Sequence, residues 1–146
     1  MMTCNEFLAL VKSHGASIAP AVTPGQTAIT NTYLQRMHAA MLPSYMTELY
    51  SIVGGINIGT GYIFGPTDVK YDVKCYPVPS IMTINQDLIS ISAMRGKTVF
   101  GRNDLFWFAF DAFGTCYMLD NLSLRPLRKY NDPFRAMTDC LAAGKI

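Results

Sequence analysis

The sequence predicts an α+β domain: a single, mostly antiparallel sheet packed against N-terminal helices and a C-terminal helix. Three observations support this. From Thr98 to Leu127, short apolar and β-branched runs follow one another with only turn residues between them, as antiparallel neighbours joined by tight turns require. Before that stretch, apolar residues recur at helical spacing behind capping residues. After it, Asn131-Asp132-Pro133 opens one more stripe of the same kind.

Thr3 stands three residues before Glu6, the spacing of a capping box, and Phe7, Leu8, Leu10 and Val11 give the first helix its apolar stripe. His14 suits the last turn, where a positive charge meets the helix dipole, and Gly15 is placed to stop it. Ala16–Gly25, with Pro20 and Pro24, reads as a loop. Gln26–Met41 reads as a second helix with Ile29, Tyr33, Leu34, Met37 and Met41 on one face and His38 beside them. Pro43 opens a third helix, Ser44–Val53, because a missing N–H costs nothing in a first turn. Its buried side is Tyr45, Met46, Leu49, Tyr50 and Val53, and Gly54-Gly55 ends it.

Gly59 and Gly61 mark a turn before a strand at Tyr62-Ile63-Phe64. The glycines here do not follow the GxGxxG order, and no P-loop Lys follows, which argues against nucleotide binding. Val69–Tyr76 alternates weakly and is expected as an edge strand, where Lys70 and Lys74 would guard the open side. Ser80 caps a helix running to about Leu88; Leu88–Ser92 fits the end of that helix or a strand equally. Arg95-Gly96-Lys97 then turns into the sheet.

The sheet segments are Thr98–Gly101, Leu105–Phe110, Thr115–Leu119 and Leu122–Leu127. Arg102-Asn103-Asp104, Asp111–Gly114 and Asp120-Asn121 separate them, the second with Asp first and Gly last as a type I turn prefers. Leu105–Phe110 is apolar on both sides: Phe106, Phe108 and Phe110 point one way, Leu105, Trp107 and Ala109 the other. A strand with one wet face should alternate apolar with polar. Either this strand is covered on both faces, or one face offers an apolar patch to a partner. In the last helix Asn131 or Asp132 is the cap, Phe134, Met137 and Leu141 are the stripe, and Gly144 is the stop.

A chain of 146 residues is expected to form one domain, residues 1–146, and to bury roughly 70% of its unfolded surface. Apolar content of 50% with 15% charged residues excludes a disordered chain. A formal net charge of +2 argues against a dedicated nucleic-acid binder, which would carry a basic stripe; Arg125, Arg128 and Lys129 are the nearest approach to one. Cys4, Cys75, Cys116 and Cys140 show no CxxC spacing, so neither zinc nor any other metal or cofactor is expected. They read as reduced thiols of a cytoplasmic protein. There is no signal-peptide pattern and no run long enough to span a membrane.

Residue types alone name no function, but the layout resembles the SUKH superfamily of cell-wall assembly regulators and bacterial immunity proteins. The residues that carry the likeness are Leu42-Pro43-Ser44-Tyr45 through Gly54-Gly55, Tyr62-Ile63-Phe64-Gly65, Val99–Asp104, Trp107–Asp111 and Tyr130–Phe134. The resemblance implies a non-enzymatic, protein-binding domain with no catalytic set, whose partner is a secreted toxin domain neutralised by contact. A monomer or weak homodimer is expected, with no nucleic acid and no membrane among its partners. Immunity proteins that face nucleases are often acidic, and this slightly basic chain departs from that pattern.

With 8 Tyr, 8 Phe and 1 Trp, most aromatics must fill the core, but aromatic residues also dominate interface hot spots. The expected contact residues are Arg102, Asp104, Trp107, Asp111 and Tyr117, on the sheet or its rim. Two other functions fit less well. One is a hydrolase using Cys116 with His14 or His38 and an aspartate; the other is a structural or ligand-binding homodimer subunit.

Overall fold

A computed structural model describes residues 1–142 of the chain; Gly144, expected to stop the last helix, lies outside them. The helices are α1 (Cys4–Ser13), α2 (Pro24–Arg36), α3 (Ser44–Tyr50), α4 (Ile81–Leu88) and α5 (Pro133–Ala142). The strands are β1 (Ser17–Ile18), β2 (Ile56–Ile58), β3 (Gly61–Ile63), β4 (Lys97–Arg102), β5 (Phe106–Asp111), β6 (Cys116–Asp120) and β7 (Pro126–Tyr130). They form one antiparallel sheet in sequence order, β1 to β7. The α+β architecture read from the sequence is the one observed.

The caps act as their residue types require. Thr3 Oγ1 accepts the Glu6 N–H at 3.1 Å, and Ser80 Oγ accepts that of Thr83 at 3.2 Å. Asp132 Oδ1 accepts the Phe134 N–H at 3.0 Å, which selects Asp132 over Asn131 as the cap of α5. At the β5–β6 turn, Asp111 Oδ1 accepts the N–H groups of Phe113 at 2.9 Å and Thr115 at 3.0 Å. Gly114 there sits at φ 79°, the left-handed position that follows a type I turn in a three-residue hairpin loop.

Several segments differ from the sequence reading, among them α3, which ends at Tyr50 rather than Val53, and β2, which that reading does not include as a strand. α2 starts at Pro24 behind a Thr23 cap and ends at Arg36, where His38 turns left-handed at φ 59°. Its buried residues are Thr30 and Leu34, while Ile29 and Tyr33 are half exposed. The helix packs against α4, so its contact line need not follow its most apolar stripe. Val69–Tyr76 is no strand: Val69 makes a lone bridge to Val78, because Pro77 and Pro79 withhold donors and Asp72 caps a turn at Lys74. Leu122 belongs to a turn held by the Asp120 carboxylate, so β7 begins only at Pro126. Ser17–Ile18, inside the expected loop, pairs with Ile56–Asn57 as the edge strand.

Register fixes the two faces of the sheet. Thr98 opposes Phe110, Gly101 opposes Phe108, and Phe110 opposes Cys116, which opposes Tyr130. These residues are all buried on the inner face, where Phe100 stacks on Phe110 with centroids 6.0 Å apart. α5 covers this face, with Phe134, Met137, Cys140 and Leu141 buried, and Phe134 stacks on Phe7 of α1 at 5.2 Å. Close approach of α5 depends on absent side chains. A Cβ at Gly61 would lie 2.6 Å from the Cys140 carbonyl oxygen, and one at Gly101 would lie 2.9 Å from Cys140 Sγ. Asn103, fully buried, accepts the Leu105 and Phe106 N–H groups and donates to the Cys140 carbonyl at 3.1 Å. It ties the β4–β5 turn to the same helix.

Candidate partner-binding face

The opposite face is built from the alternate residues of the same strands. Lys97 opposes Asp111, Arg102 opposes Trp107, and Val99 opposes Ala109. Ala109 opposes Tyr117, which opposes Lys129. Of the five residues singled out in the sequence, Arg102, Trp107, Asp111 and Tyr117 therefore share this face. Asp104 does not lie on a strand. It is exposed in the turn before β5 and accepts a hydrogen bond from Thr60 Oγ1 at 3.1 Å.

Leu105 also lies outside the strand and is exposed. The two-sided apolar reading of β5 thus resolves into a helix-covered inner face and an outer face of a different kind. There the small Ala109 is sealed and the large Trp107 is half-buried. The Arg102 guanidinium carbon lies 4.3 Å from the centroid of the Trp107 ring, a stacking cation–π contact that shields one side of the indole. Lys97 Nζ lies 5.8 Å from the centre of the Tyr117 ring and donates to the Ala93 carbonyl at 3.2 Å. Tyr117 donates its hydroxyl hydrogen to Asp111 Oδ2 at 2.9 Å. That bond, in which the phenol is the donor, raises the Tyr117 pKa above the usual tyrosine value.

A cleft of about 510 Å³ adjoins the β3 end of this face. Its floor is apolar, from Tyr62, Phe64, Val78 and Ile84, and its rim carries Arg102 and Asp104. The Gly65–Ser80 segment forms one wall, anchored by the Val69–Val78 bridge and by Ser80 N–H donating to Asp68 Oδ1 at 2.8 Å. Lys97, Lys129 and Tyr62 were not among the contact residues expected from the sequence, although Lys129 belonged to its nearest approach to a basic stripe. Only the cross-strand register reveals Lys97 and Lys129 as partners of the face, although the parity of Lys97 with Val99 was legible. The cleft wall had no signal, because an irregular loop has no period to read.

The residues of the hydrolase reading lie apart in function. Cys116 is buried on the inner side, with its sulfur 3.2 Å from Tyr45 Oη. Burial pushes its thiol up to about 11, partly offset by the Tyr45 hydrogen bond. His14, at the end of α1, and His38, after α2, are both exposed. Among the described residues, the hydrogen-bond partners of Cys116 Sγ are Tyr45 and the Gly114 carbonyl. All four cysteines are free, and Cys75 is exposed. Among the described residues no group of three His, Cys, Asp or Glu side chains could hold a metal ion, and no helix is long and apolar enough to cross a membrane. No protein-family model matches the chain, and no curated protein matches it.

Proposed function

We propose that this chain is a non-enzymatic protein-binding domain, an immunity protein of the SUKH type that neutralises a polymorphic toxin by direct contact. The observation that carries the reading is the outer sheet face. It presents Trp107 and Tyr117 on rigid strands, Arg102 stacked over the indole, and an apolar cleft alongside. Large aromatics and arginine held on a stiff scaffold beside a pocket are what interface anchors are made of. The helical opening, α3 behind Pro43 and the antiparallel strands followed by α5 are the features of this chain on which the SUKH likeness rests. A Cys116 nucleophile is the weaker reading, since a buried, protonated thiol is a poor attacking group.

The test is calorimetry between this chain and the toxin domain encoded by the neighbouring reading frame, with toxin activity assayed in parallel. Saturable one-to-one binding that abolishes toxicity is expected, with Trp107→Ala weakening it at least tenfold. If the two proteins give no heat and cells expressing both still die, the reading fails.

A further inference from the structure

The outer face has an imbalance of charge that its sequence does not announce. Lys97 and Arg102, at the two ends of β4, and Lys129 on β7 all belong to this face. Among the described residues the side-chain ion pairs are Arg128–Asp139 and Arg135–Asp139, so none of these three cations is in direct contact with a carboxylate, although Asp111 stands opposite Lys97. The carboxylate on the face, Asp111, is already committed: Oδ1 accepts two backbone N–H groups and Oδ2 accepts the Tyr117 hydroxyl. The face therefore sets three cations against the carboxylate of Asp111, with Asp104 at its margin, which leaves it with an excess of positive charge on aromatic ground.

Arg102 joins this strip to the cleft, because it both stacks on Trp107 and lines the cavity. A guanidinium held over an aromatic ring can still offer its edge N–H groups to a partner, and that edge matches a carboxylate in a two-pronged bond. Stacking also fixes the group before binding, so less rotamer entropy is lost when the bond forms.

We infer that this face takes an acidic segment of the protein partner, with one apolar side chain seated in the cleft and its carboxylates against Arg102, Lys97 and Lys129. The inference rests on the protein-binding reading and specifies the partner's chemistry. From β3 to β7 is four strand spacings, roughly 19 Å, which about six extended residues span. A nucleic-acid strand would also bring negative charge to the aromatics. The acidic polypeptide fits better because Asp104 and Asp111 stand at the two ends of β5. An uninterrupted run of phosphates would meet repulsion there, whereas spaced carboxylates can avoid both.

Trp107 is the single tryptophan of the chain, so its fluorescence reports on this face alone. The full chain is titrated at low salt with an acetylated, amidated six-residue peptide in which three glutamates alternate with serine, phenylalanine and serine. The same peptide with lysine for glutamate and a six-nucleotide thymidine oligomer are run beside it. A saturable change in emission with the acidic peptide is expected, with none for the lysine peptide and a weaker one for the oligomer. Arg102→Ala and the pair Lys97→Ala with Lys129→Ala should each weaken it at least tenfold, and Arg102→Lys, which keeps the charge but not the fork, by a smaller factor. Circular dichroism of each variant confirms folding. No saturable response, an undiminished one in folded Arg102→Ala, or tighter binding of the oligomer overturns the inference. The peptide titration needs no biological partner, so it fails or succeeds separately from the toxin-binding experiment.

Discussion

The side-chain amide of Asn85 completes the sheet where β3 runs out. Its Nδ2 donates to the Val99 carbonyl at 2.8 Å and its Oδ1 accepts the Val99 N–H at 2.8 Å. The last backbone contribution on that side is Phe64 N–H donating to the Phe100 carbonyl at 2.8 Å. Beyond that point one asparagine on α4 serves as a strand of a single residue. Asn85 is fully buried, as is Val99, so water cannot replace it.

Replacing Asn85 by Ala or Leu should therefore cost roughly 2–4 kcal/mol, because two buried backbone groups lose their partners together. Denaturant melts at constant m-value measure this. Asn85→Asp should be at least as damaging, since it removes the donor and places a charge in the core. A loss below about 0.5 kcal/mol in Asn85→Leu would mean the edge of β4 is satisfied in another way.

Gly61→Ala should destabilise by on the order of 1–3 kcal/mol, as overpacking does, and Gly101→Ala should follow it. At Gly61 the new methyl meets backbone atoms, the Cys140 carbonyl and Leu141 Cα, both at 2.6 Å. α5 must then lift from the sheet. Melting midpoints of the two variants are the check, and an unchanged midpoint in both would show that the helix does not depend on these absent side chains.

Thiol labelling should separate the cysteines. Cys75 is exposed, whereas Cys4, Cys116 and Cys140 are buried. Burial raises the pKa of Cys4 above the usual cysteine value and pushes Cys116 up to about 11. Since the thiolate is the reactive form, iodoacetamide at pH 8 should add one label to the native protein and four after denaturation. Mass spectrometry counts them; rapid native labelling of Cys116 would revive it as a nucleophile.

Asp120 carries the acid-sensitive turn. Its carboxylate accepts the Ser123 N–H at 2.7 Å, the Ser123 hydroxyl at 3.0 Å and the Leu122 N–H at 3.0 Å. These bonds, those from Ser123 first, lower its pKa below the usual aspartate value. A depressed folded value contributes stability that is complete above the unfolded value of about 3.9 and is lost as pH falls through the folded one. An NMR titration should place the Asp120 midpoint below that of an unfolded peptide. Asp120→Ala should flatten the acid limb of the stability curve, and an identical limb in both proteins would remove this turn from the account.

Much of this protein was written in its local sequence. The caps Thr3, Ser80 and Asp132, the Asp111–Gly114 turn and the meander of β4 to β7 follow from residue types acting on their nearest neighbours, and short-range chemistry leaves short-range marks. The alternation along β5 even placed Trp107 opposite the three phenylalanines. Tertiary structure alone decided the rest. Which residues of α2 are buried depended on where α4 lies. The role of Asn85 depended on β3 stopping short of Val99. The meeting of Arg102 with Trp107, and of Lys97 and Lys129 with Tyr117, depended on cross-strand register. Each is a relation between segments distant along the chain, set by hydrogen-bond pairing and packing in space, and no periodicity within one segment can encode it.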